Sequence, residues 1–277
     1  MRKGKKMLDK TLQDEIVKKG RGFLRGVDLS DPIGAAFVSD QGLRLPQPPL
    51  VKAAAATPET HIRLPEPEST SLAESDLTEL LRSRRSYRSY GDTPLTLQQL
   101  SYLLWAGQGI TGIKGENYAT MRTVPSGGAR HPFETYLLCR NVAGLGPGAY
   151  HYLPMEHALE YLGAVEAMSE TISAALLEQK WAARAGVVFF WSVVPYRAEW
   201  RYGIRAHRTI LIDAGHVGQN HYLAATALGL GTCTVAAFDD SLCSRLFGLD
   251  GKEEFIIYAA PVGSRRRDGA PHCTPTD

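Results

Sequence analysis

The stretch LLRSRRSYRSYGD, residues 80–92, interleaves Arg82, Arg84, Arg85 and Arg88 with serines. A guanidinium stays charged and presents a planar fork that grips two oxygens at once, so a cluster of this kind with hydroxyls beside it can bind a phosphate dianion. The alternative is a solvated helix face. A second segment, RTVPSGGARHP (122–132), has Pro125 fixing one torsion and Ser126, Gly127 and Gly128 after it. Glycines without a Cβ let backbone amides approach a flat ring at contact distance. A third, VGSRRR (262–267), brings Arg265, Arg266 and Arg267 to the end of a strand pattern, as a second basic group or as a solvated tail. Together the three segments fit one ligand with a phosphate at one end and a planar heterocycle at the other.

Several other chemistries find no support. The formal net charge of +2 over 277 residues gives no global field for sequence-independent nucleic-acid binding. Cys139, Cys233, Cys243 and Cys273 lie far apart with no histidine at ligand spacing, so reduced thiols and no metal are expected. No Walker A, H-E-x-x-H or G-x-S-x-G sequence is present, and the glycines near 144–148 and 229–231 lack the strand-then-helix order of a dinucleotide fingerprint. The charged opening MRKGKKMLDK runs into polar text instead of an apolar run, so no membrane segment and a cytoplasmic location are expected.

These residues must be positioned by the elements around them. Residues 1–70 carry a short helical pattern near Leu8–Phe23 and then proline-rich text. This part is expected to be an extended arm along the body or a partner subunit, or else a disordered leader. Patterned elements fill residues 71–277. Ser75 can cap a helix holding Leu77, Leu80 and Leu81, and Thr96 with Gln99 forms a capping box for a helix with Leu97, Leu100, Leu103 and Leu104. Residues 133–153 read as a hairpin, and GVVFFWSVV (186–194) as a central strand buried on both faces. A helix of roughly 35 Å follows from Ala206 to a cap at Gly229. Its small residues Ala214, Gly215 and Gly218 allow another helix close, as at the centre of the fold or a dimer seam. Strands at 231–238 and 254–263, with a short helix between them, complete an α+β organisation. His216 and His221 on the long helix are expected to be interior hydrogen-bonded residues, while His131, beside the glycine loop, faces either the substrate or the core.

RRSYR entering a turn, PSGGARHP before a strand, RYGIRAHR…DAGHVGQNHYLAATALGLG and a last strand ending in Gly-x-Arg resemble, in this order, the FMN-dependent nitroreductase superfamily. The chain is most similar to the branch that includes the azoline dehydrogenases of thiazole- and oxazole-containing peptides. The resemblance implies a mostly antiparallel central sheet flanked by helices, an intertwined homodimer and FMN at the subunit interface.

It also implies residue roles. Arg84, Ser86 and Arg88, with Arg85 adjacent, correspond to ligands of the FMN phosphate, and Arg265 or Arg266 to a late basic ligand of it. Pro125, Ser126, Gly127 and Gly128 correspond to the loop bordering the isoalloxazine ring. Val235, Ala236 and Ala237 correspond to the backbone reaching the flavin N5 edge. Arg122, Arg205 and Arg208 are candidate cations for the reduced ring.

At the proton-transfer position, azoline-oxidising members carry a Lys-Tyr pair. Here the text is Arg201-Tyr202, and an arginine does not serve as a base, which leaves Tyr202 to donate or accept the proton or else to be a core aromatic that orients the helix start. The expected function is hydride transfer through flavin N5 between a donor such as NAD(P)H and a small-molecule or peptide acceptor. Peptide azoline dehydrogenation and a non-enzymatic flavin-binding protein are the alternatives.

Overall fold

Val187–Val193, within the apolar run 186–194, is an interior strand of an antiparallel sheet and is buried along its whole length. The computed structural model describes residues 9–25 and 36–266; Arg267 and Cys273 lie outside these. The strands are β1 (Ile62–Arg63), β2 (Ile110–Lys114), β3 (Ala119–Arg122), β4 (Phe133–Cys139), β5 (Gly148–Leu153), β6 (Ala158–Gly163), β7 (Val187–Val193), β8 (Leu230–Thr232) and β9 (Phe255–Ser264). β2 and β3 form a separate hairpin; the rest make one sheet in the order β1-β6-β5-β4-β7-β9-β8, antiparallel at every described pairing.

The helices are α1 (Lys10–Arg25), α2 (Leu77–Ser83), α3 (Leu97–Gln108), α4 (Met168–Ala175), α5 (Tyr196–Tyr202), α6 (Ala206–Ala227) and α7 (Asp240–Leu246). Alternate side chains of β7 enter two different cores, as the two-residue period of a strand requires. Val187, Phe189, Trp191 and Val193 pack with Leu100, Leu103 and Leu104 of α3 and with Ile210, Val217 and Ala224 of α6. Val188 and Phe190 pack on the other face with Ile172 of α4 and Cys243 of α7.

The capping box at α3 forms as expected: Gln99 N–H donates to Thr96 Oγ1 at 3.1 Å, and Thr96 N–H to Gln99 Oε1 at 2.9 Å. At α2 the cap is Asp76, not Ser75; Asp76 Oδ1 accepts from Glu79 N–H at 3.0 Å. Only Leu80 of that helix is buried, while Leu77 and Leu81 are 60% and 55% exposed.

Gly218 corrects the reading of α6. A Cβ there would stand 2.7 Å from the Tyr258 ring of β9, whereas one at Gly215 would meet nothing within 4 Å. The glycine therefore lets the chain's own sheet approach, not a second helix. The strand expected at 231–238 is also shorter, with only Leu230–Thr232 in the ladder and Val235 making an isolated bridge to Ala259.

Residues 36–70 lie along the body. Trp200 Nε1–H donates to Leu45 O at 3.0 Å, Lys52 N–H to Glu134 at 2.7 Å, and β1 adds an edge strand on β6. Among the described residues no helix is long and apolar enough to cross a membrane.

His221 departs from expectation. It is fully buried on α6, yet both ring nitrogens lack a hydrogen-bond partner; Phe189 and Trp191 meet the ring edge-on at 4.6 and 5.1 Å. Burial lowers its pKa to about 3, so as pH falls from about 6.5 toward 3 the unfolded chain binds a proton that the native chain refuses. Stability is then lost at up to ~1.4 kcal/mol per pH unit. His221→Leu removes two unpartnered polar atoms and is expected to flatten this acid slope with little loss at pH 7. Urea midpoints of both proteins at pH 7 and pH 5 check this.

Candidate active site

Two clusters form, one at each end of α6. At the C-terminal end the arginine-rich segment leaves α2 at Arg84 and runs extended along the sheet edge. Tyr87 N–H donates to Thr232 O at 2.8 Å, Gly91 N–H to Ser264 O at 2.9 Å, and Tyr90 bridges Arg265. This course brings residues distant in sequence to one corner. The Arg84 guanidinium lies over the Tyr222 ring of α6 at 5.3 Å. Ser86 Oγ is 2.9 Å from the Tyr222 hydroxyl, which also accepts from Thr234 N–H at 3.0 Å. Arg265 stacks on Tyr87 at 4.5 Å and donates through Nε to Leu230 O at 3.0 Å, while one of its terminal nitrogens is buried without a partner.

Among the described residues no carboxylate stands within ion-pair distance of Arg84, Arg85, Arg88 or Arg265. The corner thus holds cations with no counter-ion and one orphaned donor, which suits a doubly charged phosphate. Arg85 and Arg88 are not drawn into it. Arg85 donates back to the carbonyls of Arg82 and Arg84 at 2.7 and 2.8 Å, and Arg88 lies over Trp181 at 5.8 Å. Arg82 is exposed and pairs with Glu79. Arg266 is exposed beside Arg265.

The glycine loop stands at the other end. Asp213 of α6 accepts from Ser126 Oγ at 2.6 Å and from Gly127 N–H at 3.1 Å, and Ser126 Oγ accepts from His131 N–H at 3.0 Å. Burial raises the Asp213 pKa against the pull of these donors. Gly127 has no room for a side chain, since its Cβ would stand 2.3 Å from Thr209 Cγ2. Gly128, at φ +60°, would meet the Arg201 stem and the Tyr202 hydroxyl at 2.6 Å. The loop is therefore held against Arg201 and Tyr202 by fit. Arg201 stacks on Tyr202 at 5.6 Å and donates to the Tyr118 hydroxyl at 2.8 Å. Pro125 is the exposed outer residue of the loop.

The structure does not bring these two clusters together within one chain. Asp213 and Tyr222 are about 14 Å apart along the helix at 1.5 Å per residue. Of the third segment, the Val235 amide is already taken by Ala259 O at 2.7 Å, whereas Ala236 and Ala237 are exposed.

Other expected residues lie inside. His131 is buried, and burial together with the Arg122 charge lowers its pKa to about 3, so it is a neutral core residue. Arg122 turns inward to Gln108 Oε1 at 2.6 Å and Leu50 O at 3.3 Å, and burial lowers its pKa to about 10. Sequence reasoning missed Tyr222, Thr234 and Asp213, the residues that hold the two clusters in place; Asp213 and Tyr222 lie nine positions apart, on opposite sides of a helix that was legible. Among the described residues no group of His, Cys, Asp and Glu could hold a metal ion.

The nitroreductase family's sequence profile matches residues 81–264, which include the glycine loop and, of the arginine corner, Arg84 and Ser86 but not Arg265. A protein of Methanocaldococcus jannaschii named as a nitroreductase is 36% identical over 204 residues, covering 74% of this chain and 96% of that protein. The trifolitoxin-processing protein TfxB of Rhizobium leguminosarum is 32% identical over 136 residues, 47% of this chain; the match spans 36% of that relative's length. A solved structure from Ralstonia eutropha, described as a nitroreductase, superimposes with a TM-score of 0.60 at 26% identity, over 80% of this chain and 99% of that one. With β4 to β9, Arg84, Ser86 and the glycine loop inside the matched region, this chain belongs to the nitroreductase family.

Proposed function

We propose that the protein is an FMN-dependent oxidoreductase that moves hydride from NAD(P)H to an organic acceptor, working as a homodimer. The observation that carries this reading is the corner of Arg84, Ser86 and Arg265, with its buried unpartnered guanidinium nitrogen and no carboxylate nearby. These residues would hold the FMN phosphate, with Arg85, Arg88 and Arg266 flanking it. Bound FMN would supply reversible two-electron chemistry at its N5.

Pro125, Ser126, Gly127 and Gly128 would border the ring, with Arg201 and Tyr202 behind them, and the backbone at Ala236 and Ala237 would offer donors where Val235 cannot. The 14 Å between the clusters along α6 supports a site completed by the loop of a second copy. So does an apolar groove of about 440 Å³ between α2, α3 and α6, lined by Leu77, Tyr102, Trp105 and Leu223. In this reading residues 71–277 carry the FMN-binding domain and residues 1–70 an arm that braces it.

A second reading, dehydrogenation of a peptide azoline, is favoured by the similarity to a trifolitoxin-processing protein. Arg201 weighs against it, because a permanently charged guanidinium cannot take up the proton that such an oxidation releases.

Anaerobic mixing of the flavin-loaded protein with NADPH or NADH tests the proposal. The visible flavin absorbance is expected to bleach within a turnover time and to return on adding a nitroaromatic acceptor. Absence of bleaching with either nucleotide overturns the reductase reading. Colour that a peptide azoline bleaches instead establishes the second reading, and colour that no donor bleaches leaves a flavin-binding protein without this activity.

A further inference from the structure

Tyr118 lies on the turn of the β2–β3 hairpin, outside every motif discussed above, and its phenol is tied to the glycine-loop cluster. Its oxygen accepts two hydrogen bonds, from Arg201 at 2.8 Å and from Gln41 Nε2 at 3.1 Å. Arg130 lies over the ring at 4.8 Å, donates to the Tyr118 carbonyl at 3.0 Å and, through Nε, to Gly128 O at 3.0 Å. One guanidinium therefore joins Tyr118 to the loop, and the other joins it to Tyr202.

Among the described residues nothing accepts the phenol's own proton, and the residue is 37% exposed. A hydroxyl whose lone pairs are filled by donors, with its proton directed to no protein group, can give that proton to a molecule from outside. The charged groups that face it are Arg201 and Arg130, both of which favour the phenolate that remains.

Resting on the proposed function, we propose that Tyr118 is the acid that protonates the organic acceptor as hydride reaches it, with Arg201 the positioning residue that holds the resulting phenolate. For a nitro acceptor, hydride and the Tyr118 proton together convert R–NO2 to R–NO and water. The two electrons come from NAD(P)H through the flavin, and the phenolate recovers its proton from solvent. This gives Arg201 a task that needs no base: its fixed charge stabilises a neighbour's lost proton. The small burial of the phenol works to raise its pKa, but the Gln41 hydrogen bond and the two guanidiniums outweigh it and lower the pKa below the ordinary phenol value of 10.

Tyr118→Phe removes one oxygen at an exposed turn; it costs Arg201 one hydrogen-bond acceptor and leaves the Arg84, Ser86 and Arg265 corner untouched. Difference titration of the near-ultraviolet tyrosinate absorbance, wild type minus variant, in flavin-free protein should show one phenol ionising below pH 10, moving upward in Arg201→Gln. In flavin-loaded Tyr118→Phe, bleaching by NAD(P)H should match wild type, while re-oxidation by a nitroaromatic should fall about 10²–10⁴-fold. The wild-type re-oxidation rate should decline as pH rises through the phenol's pKa, and the variant should lack that limb. A phenol ionising at or above its ordinary value, or re-oxidation within twofold of wild type with the same pH profile, overturns the assignment of Tyr118 alone. Failure of the wild type to bleach removes the oxidoreductase reading, and the acid's role with it.

Discussion

Apoprotein carrying Arg84→Ala is expected to bind FMN about ten- to a hundredfold more weakly than wild type, while its affinity for riboflavin stays within about twofold. Arg84 rests half-buried on the Tyr222 ring with no carboxylate to neutralise it, so in the proposed site the phosphate is its partner. A hydrogen bond to a charged group contributes about 1.5–3 kcal/mol, and ~1.4 kcal/mol corresponds to a factor of ten in affinity. Riboflavin has the ring but no phosphate, which separates this role from a general packing role. Equal losses for both flavins would indicate a folding defect, and unchanged FMN affinity would put the phosphate elsewhere.

The largest stability effect is expected at a residue that belongs to neither cluster. Glu134 of β4 is 2% exposed. Its carboxylate accepts from Arg197 at 2.5 Å and from Lys52 N–H at 2.7 Å, and it lies 3.3 Å from the His151 ring, which reaches Glu160 at the same distance. Glu134→Ala leaves Arg197 and His151 buried without their shared partner, a defect that typically costs about 3–5 kcal/mol.

Burial alone would raise the Glu134 pKa, but Arg197 and His151 hold it well below the carboxylate range, so its contribution is present at neutral pH and lost as pH falls below the unfolded carboxylate value. His151 runs the other way: its glutamate neighbours raise its pKa despite burial, and its contribution fades as pH rises through that value. Urea denaturation of the variant should show the loss at pH 7 and a shallower acid limb. A loss under 1 kcal/mol would contradict this account. The same change should loosen the arm, because Lys52 N–H loses its acceptor, and limited proteolysis near residues 48–56 should speed up.

Much of this architecture could be read from local signals, because those signals act locally. The reciprocal Thr96–Gln99 cap, the Val187–Val193 strand with Ser192 as its single polar residue, and Gly229 in the left-handed region at φ +70° each fix their own element. What could not be read depends on partners far away in sequence. β1 has only two residues and exists because β6 offers an edge. The Gly218 vacancy is filled by Tyr258, forty residues on, and nothing in the helix indicates whether a sheet or a helix would fill it. Glu134, His151, Glu160 and Arg197 look like surface charges until the fold pairs them.

The proposed site divides in the same way. Arg84 and Ser86 were legible as an anion motif, but their meeting with Arg265 depends on the edge pairing of β8 with β9. The Val235 amide looked available until its bridge to Ala259 was formed. Tyr118 carried no signal at all, because an aromatic residue in a turn gains meaning only from the two guanidiniums brought to it.

Flavin binding by a pair of chains is tested most directly by equilibrium titration of purified, flavin-stripped protein with FMN, read by visible absorbance and by sedimentation of the same samples. Saturation is expected at one FMN per chain in a species of two chains, with riboflavin binding distinctly more weakly. Protein that takes up no FMN, or that binds riboflavin as tightly as FMN, would contradict it.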